Sequence, residues 1–178
     1  MIRLFVGLKI PADVAAQLEI MCNGVPGARW VNPANMHLTL RFIGETEEQE
    51  AEEIDAHLSK VSAESFDLEL RELGTFGRGR KIRALWVGVS ASLPLNHLHA
   101  KIESAVVRSD QPSEKRKFTP HVTLARFSHV EPSRIESYLA GNNLFPARTF
   151  RVGEFTLFES SRGKGGPTYT RLTTYALS

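Results

Sequence analysis

One cysteine, Cys22, stands in 178 residues, so the chain can form neither an internal disulfide nor a cysteine-rich zinc site. Its place on an apolar helical face predicts a buried structural thiol. Long hydrophobic runs are also missing. The N-terminal stretch MIRLFVGLKIPADV is broken by Lys9 and Pro11, which fits neither a secretion signal nor a membrane span and predicts a cytoplasmic protein with no membrane partner. Charge of one sign is not in excess. Lys plus Arg is 22 against 20 for Asp plus Glu, a formal net charge of +2, and that excludes a histone-like polycation. No phosphate loop of the GxxxxGK[ST] kind occurs, because SRGKGGP (161–167) has glycines and a lysine at the wrong spacing and reads as a hairpin loop. An adenylate-binding lysine motif is absent too, which argues against a dedicated ligase.

What is present is an ordinary globular composition, 42% hydrophobic, and alternating strand and helix periodicities. RLFVGLKI (3–10) reads as a buried strand, and Pro11 opens a helix with Val14, Leu18 and Met21 on one face. MHLTLRFI (36–43) is a strand; Thr46 and Gln49 form a capping box for a helix over 47–61; FDLELREL (66–73) alternates with period two. The order then recurs: strand RALWVGVS (83–90), a helix opened by Pro94, strand FTPHVTLARF (118–127), a short helix around Ile135 and Tyr138, and strand FRVGEFTLF (150–158), before a last strand, TYTRLTTYAL (168–177). Superposing the halves sets His37 on His121, Thr39 on Thr123, Ile54 on Tyr138 and Phe66 on Phe150 at one offset, with Val6-Gly7 on Val87-Gly88. This is a duplicated β-α-β-α-β unit. No spacer rich in Gly, Pro or Ser separates the copies, so the expectation is a single two-lobed α+β domain over 1–178, with halves of roughly 1–80 and 81–178 and two mainly antiparallel sheets around a central cleft, helices outside.

The repeat changes the meaning of its central strand. In HLTLRF (37–42), His37 and Thr39 share one face while Leu38 and Leu40 share the other. Alone, that is a common strand surface. HVTLAR at 121–126 repeats it at the equivalent place, and two lobes related by a pseudo-twofold axis would turn both polar faces toward one cleft. Two imidazoles titrating near ~6.5 can act as base and acid at neutral pH, and hydroxyls about ~6.6 Å along each strand can donate to an oxygen-rich anion between them. A phosphodiester suits such a pocket, with no metal or other cofactor required. Other clusters are weaker. His97 and His99 sit two apart on a helix and point different ways; His57 lacks a partner; His129 lies far along the chain from His121; and GETEEQEAEEID (44–55) is an acidic helix face. Three basic stretches, RGRKIR (78–83), KRK (115–117) and SSRGKGG (160–166), could meet phosphates or remain solvated.

HLTLRFIGE (37–45) and PHVTLAR (120–126), with RLFVGLKIP, RALWVGV, FTLFESS and GPTYTRL around them, resemble the paired HxTx signatures of the two-histidine phosphoesterases, specifically the RNA 2′,3′-cyclic phosphodiesterases also called 2′-5′ RNA ligases. The resemblance runs along nearly the whole chain. It implies a bilobal fold and metal-independent opening of a terminal 2′,3′-cyclic phosphate to a 2′-phosphate, with 2′-5′ joining of RNA ends as the reverse-type activity. It implies His37 as proton donor to the departing 3′ oxygen and His121 as the base that activates water, although the motifs' symmetry leaves these roles exchangeable. Thr39 and Thr123 would bind the phosphate, Arg126 its charge, and Phe118 would stack on a base. RNA 3′ ends or cyclic nucleotides are the expected substrates of a monomer. The alternatives are a phosphodiesterase for small cyclic nucleotides or 2′-5′ oligonucleotides, and an RNA-end binding module.

Overall fold

The computed structural model describes all residues, 1–178. Thirteen regular elements follow the anticipated alternation: β1 (Ile2–Lys9), α1 (Ala12–Glu19), β2 (Arg29–Trp30), β3 (His37–Thr46), α2 (Glu48–Leu58), β4 (Phe66–Phe76), β5 (Ala84–Val89), α3 (Leu93–Arg108), β6 (His121–Arg126), α4 (Pro132–Asn142), β7 (Arg148–Val152), β8 (Glu154–Gly163) and β9 (Gly166–Ala176). Helix α3 shows the logic plainly. Ser92 accepts from the Leu95 amide as N-cap, Pro94 sits in the first turn, and Leu95, Leu98, Ile102 and Val106 are all buried against the sheet. Helix α2 is capped one residue later than the sequence suggested. The reciprocal box joins Glu47 and Glu50, because Thr46 is the last, buried residue of β3 and turns its hydroxyl to the Ile2 carbonyl. Met21 and Cys22 lie just past α1 rather than on it, and the Cys22 thiol, half-buried, points back at the Leu18 carbonyl. Burial raises that thiol to about 11, a poor nucleophile at neutral pH. No helix is long and apolar enough to cross a membrane.

The two anticipated sheets are the halves of one continuous sheet in the order β7-β4-β5-β6-β3-β1-β8-β9, with β2 paired beside β6. All of its pairings are antiparallel. A single pairing, Leu38 with Val122, joins the halves through β3 and β6. The repeats also exchange strands. The third strand of the first repeat, β4, pairs with β5 of the second, whereas β8 from the second pairs with β1 of the first. FRVGEFTLF is therefore not one strand. It breaks at Gly153 into β7, which lies against β4, and β8, which crosses to the other half. The superposition of Phe66 on Phe150 matches β4 to its neighbour β7, in which Phe150 pairs with Leu68, while the topology makes β8 the counterpart of β4. Strand 118–127 also shrinks to β6, since Phe118 to Pro120 lie outside the ladder.

One face of the sheet carries the main core. Leu4, Val6, Leu8, Leu38, Leu40, Val87, Val122 and Leu124 pack with the buried faces of α1, α2 and α3. A smaller core of eight residues lies under the far ends of β5 and β6, where Leu85, Ala125 and Phe127 meet Ile135 and Tyr138 of α4. The opposite sheet face stays open as a cleft. Its floor under the β6 side is the Trp86 ring, which lies over Gly74: a methyl group at Gly74 would overlap the indole. We expect Gly74→Ala to destabilise the fold by about 1–3 kcal/mol, the range for overpacking, and to perturb Trp86 fluorescence; unchanged denaturant unfolding and emission would refute this packing.

Candidate active site

The Leu38–Val122 pairing determines where the chemistry-bearing groups meet. With those residues opposite one another in antiparallel strands, His37 registers across from Thr123 and Thr39 across from His121, all four on the cleft face. The imidazoles are then diagonal neighbours at the centre of the molecule. Each ring is oriented from behind in the same way. Nδ1 of His37 lies 2.7 Å from the Asn35 carbonyl and Nδ1 of His121 lies 2.7 Å from the Thr119 carbonyl. A carbonyl can only accept, so each Nδ1 carries the proton and each Nε2 presents a lone pair when the ring is neutral. The symmetry ends there. Thr39 Oγ1 donates to Nε2 of His37 at 3.0 Å, while Nε2 of His121 has no protein partner. Aromatic edges hold both rings: Tyr169 against His37 at 4.9 Å and 80°, Phe76 against His121 at 4.7 Å and 88°.

A β-bulge in each copy explains two further residues. On β3 the pairing with β1 skips Leu40, and on β6 the pairing with β5 skips Leu124, so both strands reverse their facing after the motif threonine. Arg126, an odd number of residues past Thr123, thereby returns to the cleft side, and its counterpart Phe42 does the same in the other half. Between the bulge and Phe42, Arg41 turns inward. It is 6% exposed, paired with Glu103 of α3 and bonded to the carbonyls of Phe42 and Pro112. Glu103 also accepts from the Glu114 amide, so this buried charge fixes the 112–118 loop to the sheet.

The cleft has two arms. The larger, about 530 Å3, holds His37, Thr123 and Arg126 together with Trp30, Lys164 and the Lys164–Pro167 hairpin turn. The other, about 370 Å3, holds His121, Thr39 and Phe118, with Phe42, Phe76 and Lys117 on its walls. All six candidates thus lie in the cleft, but Phe118 has one face already covered by His99, stacked at 3.8 Å and 1°. Residues the sequence reading passed over are Trp30, Asn35, Phe42, Phe76 and Tyr169, while Lys164 entered it only within the basic SSRGKGG stretch. Only the Asn35 and Thr119 carbonyls had a visible signal, since both stand two residues before a motif histidine. No cluster of three or more His, Cys, Asp or Glu side chains offers a metal site.

Both imidazoles are held below the ordinary histidine range. For His37 the main cause is burial, opposed by the Asn35 carbonyl and reinforced by the charges of Arg126 and His121. For His121 burial again leads, opposed by the Thr119 carbonyl and reinforced by Arg126. The resting site is therefore neutral at its two bases with one fixed cation beside them.

An antiparallel α+β fold with paired imidazoles across one cleft defines the class. Comparison with known proteins gives the family: a family model described as the 2′-5′ RNA ligase superfamily matches residues 11–164, and the chain belongs to that superfamily. It is 30% identical over 174 residues to the RNA 2′,3′-cyclic phosphodiesterase of Thermotoga maritima, covering 94% of this chain and 91% of the relative. It is 42% identical over 109 residues to the protein of the same name from Aeropyrum pernix, a match spanning 61% of each. Among solved structures, Escherichia coli LigT complexed with 3′-AMP superposes with a TM-score of 0.82 at 28% identity, over 99% of this chain and 98% of that one.

Because the Arg126 charge lowers both rings, Arg126→Gln is expected to raise both histidine pKa values, moving the two NMR titrations to higher pH together. A titration that moves for neither ring would show that the guanidinium does not face them.

Proposed function

We propose that this chain is a metal-independent RNA 2′,3′-cyclic phosphodiesterase that opens a terminal cyclic phosphate to a 2′-phosphate. The observation that carries this reading is the pair of Nε2 atoms, each set by a carbonyl bond at Nδ1, facing one cleft from opposite strands. Water attacks phosphorus in line with the 3′ oxygen. His121, whose Nε2 has no protein partner, takes the water proton. The P–O3′ bond breaks, and protonated His37 delivers its proton to the departing oxygen. With Nε2 of His37 protonated, the Thr39 hydroxyl no longer donates to it, and Thr39 and Thr123 donate to the nonbridging oxygens as charge accumulates there, with Arg126 adding a fixed positive charge. Trp30 and Phe118 offer ring faces to bases, one in each arm.

Substrates on this reading are RNA 3′ ends, in agreement with the names of the relatives, and 2′-5′ joining follows from the same protonation pattern run in reverse. A second class, small cyclic nucleotides, is favoured by one observation: the LigT neighbour binds the mononucleotide 3′-AMP. Both imidazoles come from one chain, which supports a monomer working as a single two-lobed phosphoesterase domain, halves roughly 1–80 and 81–178, in the cytoplasm where RNA ends arise.

Incubating the protein and chelator with RNA ending in a 2′,3′-cyclic phosphate should yield the 2′-phosphate at an undiminished rate; loss of activity to chelator, or a 3′-phosphate product, would overturn the proposal. His37→Ala and His121→Ala should each lower kcat by about 10²–10⁴ while thermal unfolding stays cooperative. The kcat/KM profile should be a bell whose limbs lie on the acid side of ordinary histidine, because both rings are lowered: activity rises as the base loses its proton and falls as the acid loses its own.

A further inference from the structure

A polymer whose end sits between the histidines must lead out of the cleft, and the structure offers a charged exit. Arg29 on β2 lies beside Arg126 on β6, their backbones paired, and Arg29 bonds Ser128 at 2.7 Å. The chain segments just before β2 and just after β6 line a second cleft of about 590 Å3, formed by Gly27, Arg80, His129, Glu131 and Arg134. The two hollows draw on adjoining chain segments: Arg126 of the first stands three residues before His129 of the second, and a Cβ placed on Gly27 would meet the His129 carbonyl at 3.1 Å. Arg29, Arg126, Arg80 and Arg134 are all exposed. None of them forms a salt bridge, although five other arginines do. Glu131 is the one carboxylate in the second cleft. Guanidinium groups without a carboxylate partner, two in the arm that holds the indole and two in the neighbouring cleft, suit a single-stranded backbone. The opposite exit, past the KRK loop, is less available to phosphate, because Arg116 is taken up by Glu114.

We propose that the β2–β6 ribbon and the cleft around Arg80 and Arg134 bind the RNA strand that precedes the cyclic phosphate, so that this chain selects polymer ends over mononucleotides. The proposal rests on the phosphodiesterase reading above. It gives a use to the RGRKIR stretch, which the reaction itself does not employ.

The test compares Arg80→Ala/Arg134→Ala with the unaltered protein on two substrates, a short single-stranded RNA ending in 2′,3′-cyclic phosphate and adenosine 2′,3′-cyclic phosphate. At low salt the double variant should lose about tenfold in kcat/KM on the RNA, through KM, and stay within about twofold on the mononucleotide, which also reports that it is folded. The slope of log kcat/KM against log salt on RNA should shrink by about 1.4, two contacts at roughly 0.7 each. Equal losses on both substrates, no loss on RNA, or a length-dependent loss appearing instead in Lys115→Ala/Lys117→Ala would overturn the assignment. If the unaltered protein opens neither substrate, the phosphodiesterase reading fails and this one with it. If it opens both and the double variant is normal on RNA, the ribbon proposal alone is lost.

Discussion

One backbone pairing, Leu38 with Val122, is the constraint on which the site depends. These are the only residues at which the two halves of the sheet share a ladder, and both are fully buried on the helical face. Side chains on a strand alternate, so burying this pair commits its neighbours to the other face. A slip of one residue between β3 and β6 would send an imidazole and a hydroxyl into the core and two aliphatic groups into the cleft. The register is thus held by hydrophobic burial on one side, and the geometry on the other side follows without further expense. Strand exchange reinforces it: with β4 in one half and β8 in the other, neither repeat completes its own half of the sheet, and the halves cannot part at β3–β6 without straining those crossovers.

The same pairing explains the electrostatics. Two imidazoles brought together in a partly dry cleft beside Arg126 resist protonation, which burial of a charged form always disfavours. The carbonyls of Asn35 and Thr119 partly offset this and leave Nε2 as the outward atom in both rings. An anion held between the two rings would lower the cost of placing one proton on the pair. On the phosphodiesterase reading proposed above, phosphate binding would favour the protonated form of the acid. An exposed pair of histidines would hold a proton more readily, but would gain less from the phosphate's arrival.

Much of this was legible in the sequence for a simple reason. The duplicated His-x-Thr-Leu unit encodes both periodicity and chemistry, and it identified β3, β6, the four polar residues and the cleft between them. What escaped depends on non-local pairing. Nothing local in FRVGEFTLF says that the chain leaves one half of the sheet at Gly153 and enters the other. The bulges at Leu40 and Leu124 are invisible to a period-two reading, so Arg126 could be suspected only through resemblance and Phe42 was passed over. Trp30 and Tyr169 reach the site from β2 and the β8–β9 hairpin, far from either motif. The Thr46 cap shifted to Glu47 because the last residue of a strand can outbid the first of a helix for the same side chain.

The bulges also show how a symmetric fold supports a directional reaction. At equivalent positions after the bulge, the first repeat has buried Arg41 and exposed Phe42, while the second has buried Ala125 and exposed Arg126. Charge is therefore drawn inward in one half, where Glu103 neutralises it and fixes the 112–118 loop, and turned outward in the other, where no carboxylate answers it. Phe5 and Trp86, matched across the repeat, differ likewise: Phe5 stacks with Phe158 beneath His37, whereas the Trp86 indole lies beneath His121 with its N–H unpartnered. Identical acid–base pairs thus face unlike surroundings. Thr39 holds one imidazole, the other is free, and the uncompensated cation stands in the arm beside the held ring. Duplication supplies two similarly oriented imidazoles, and divergence of the residues around them makes the two sides of the cleft unlike, as the proposed reaction requires.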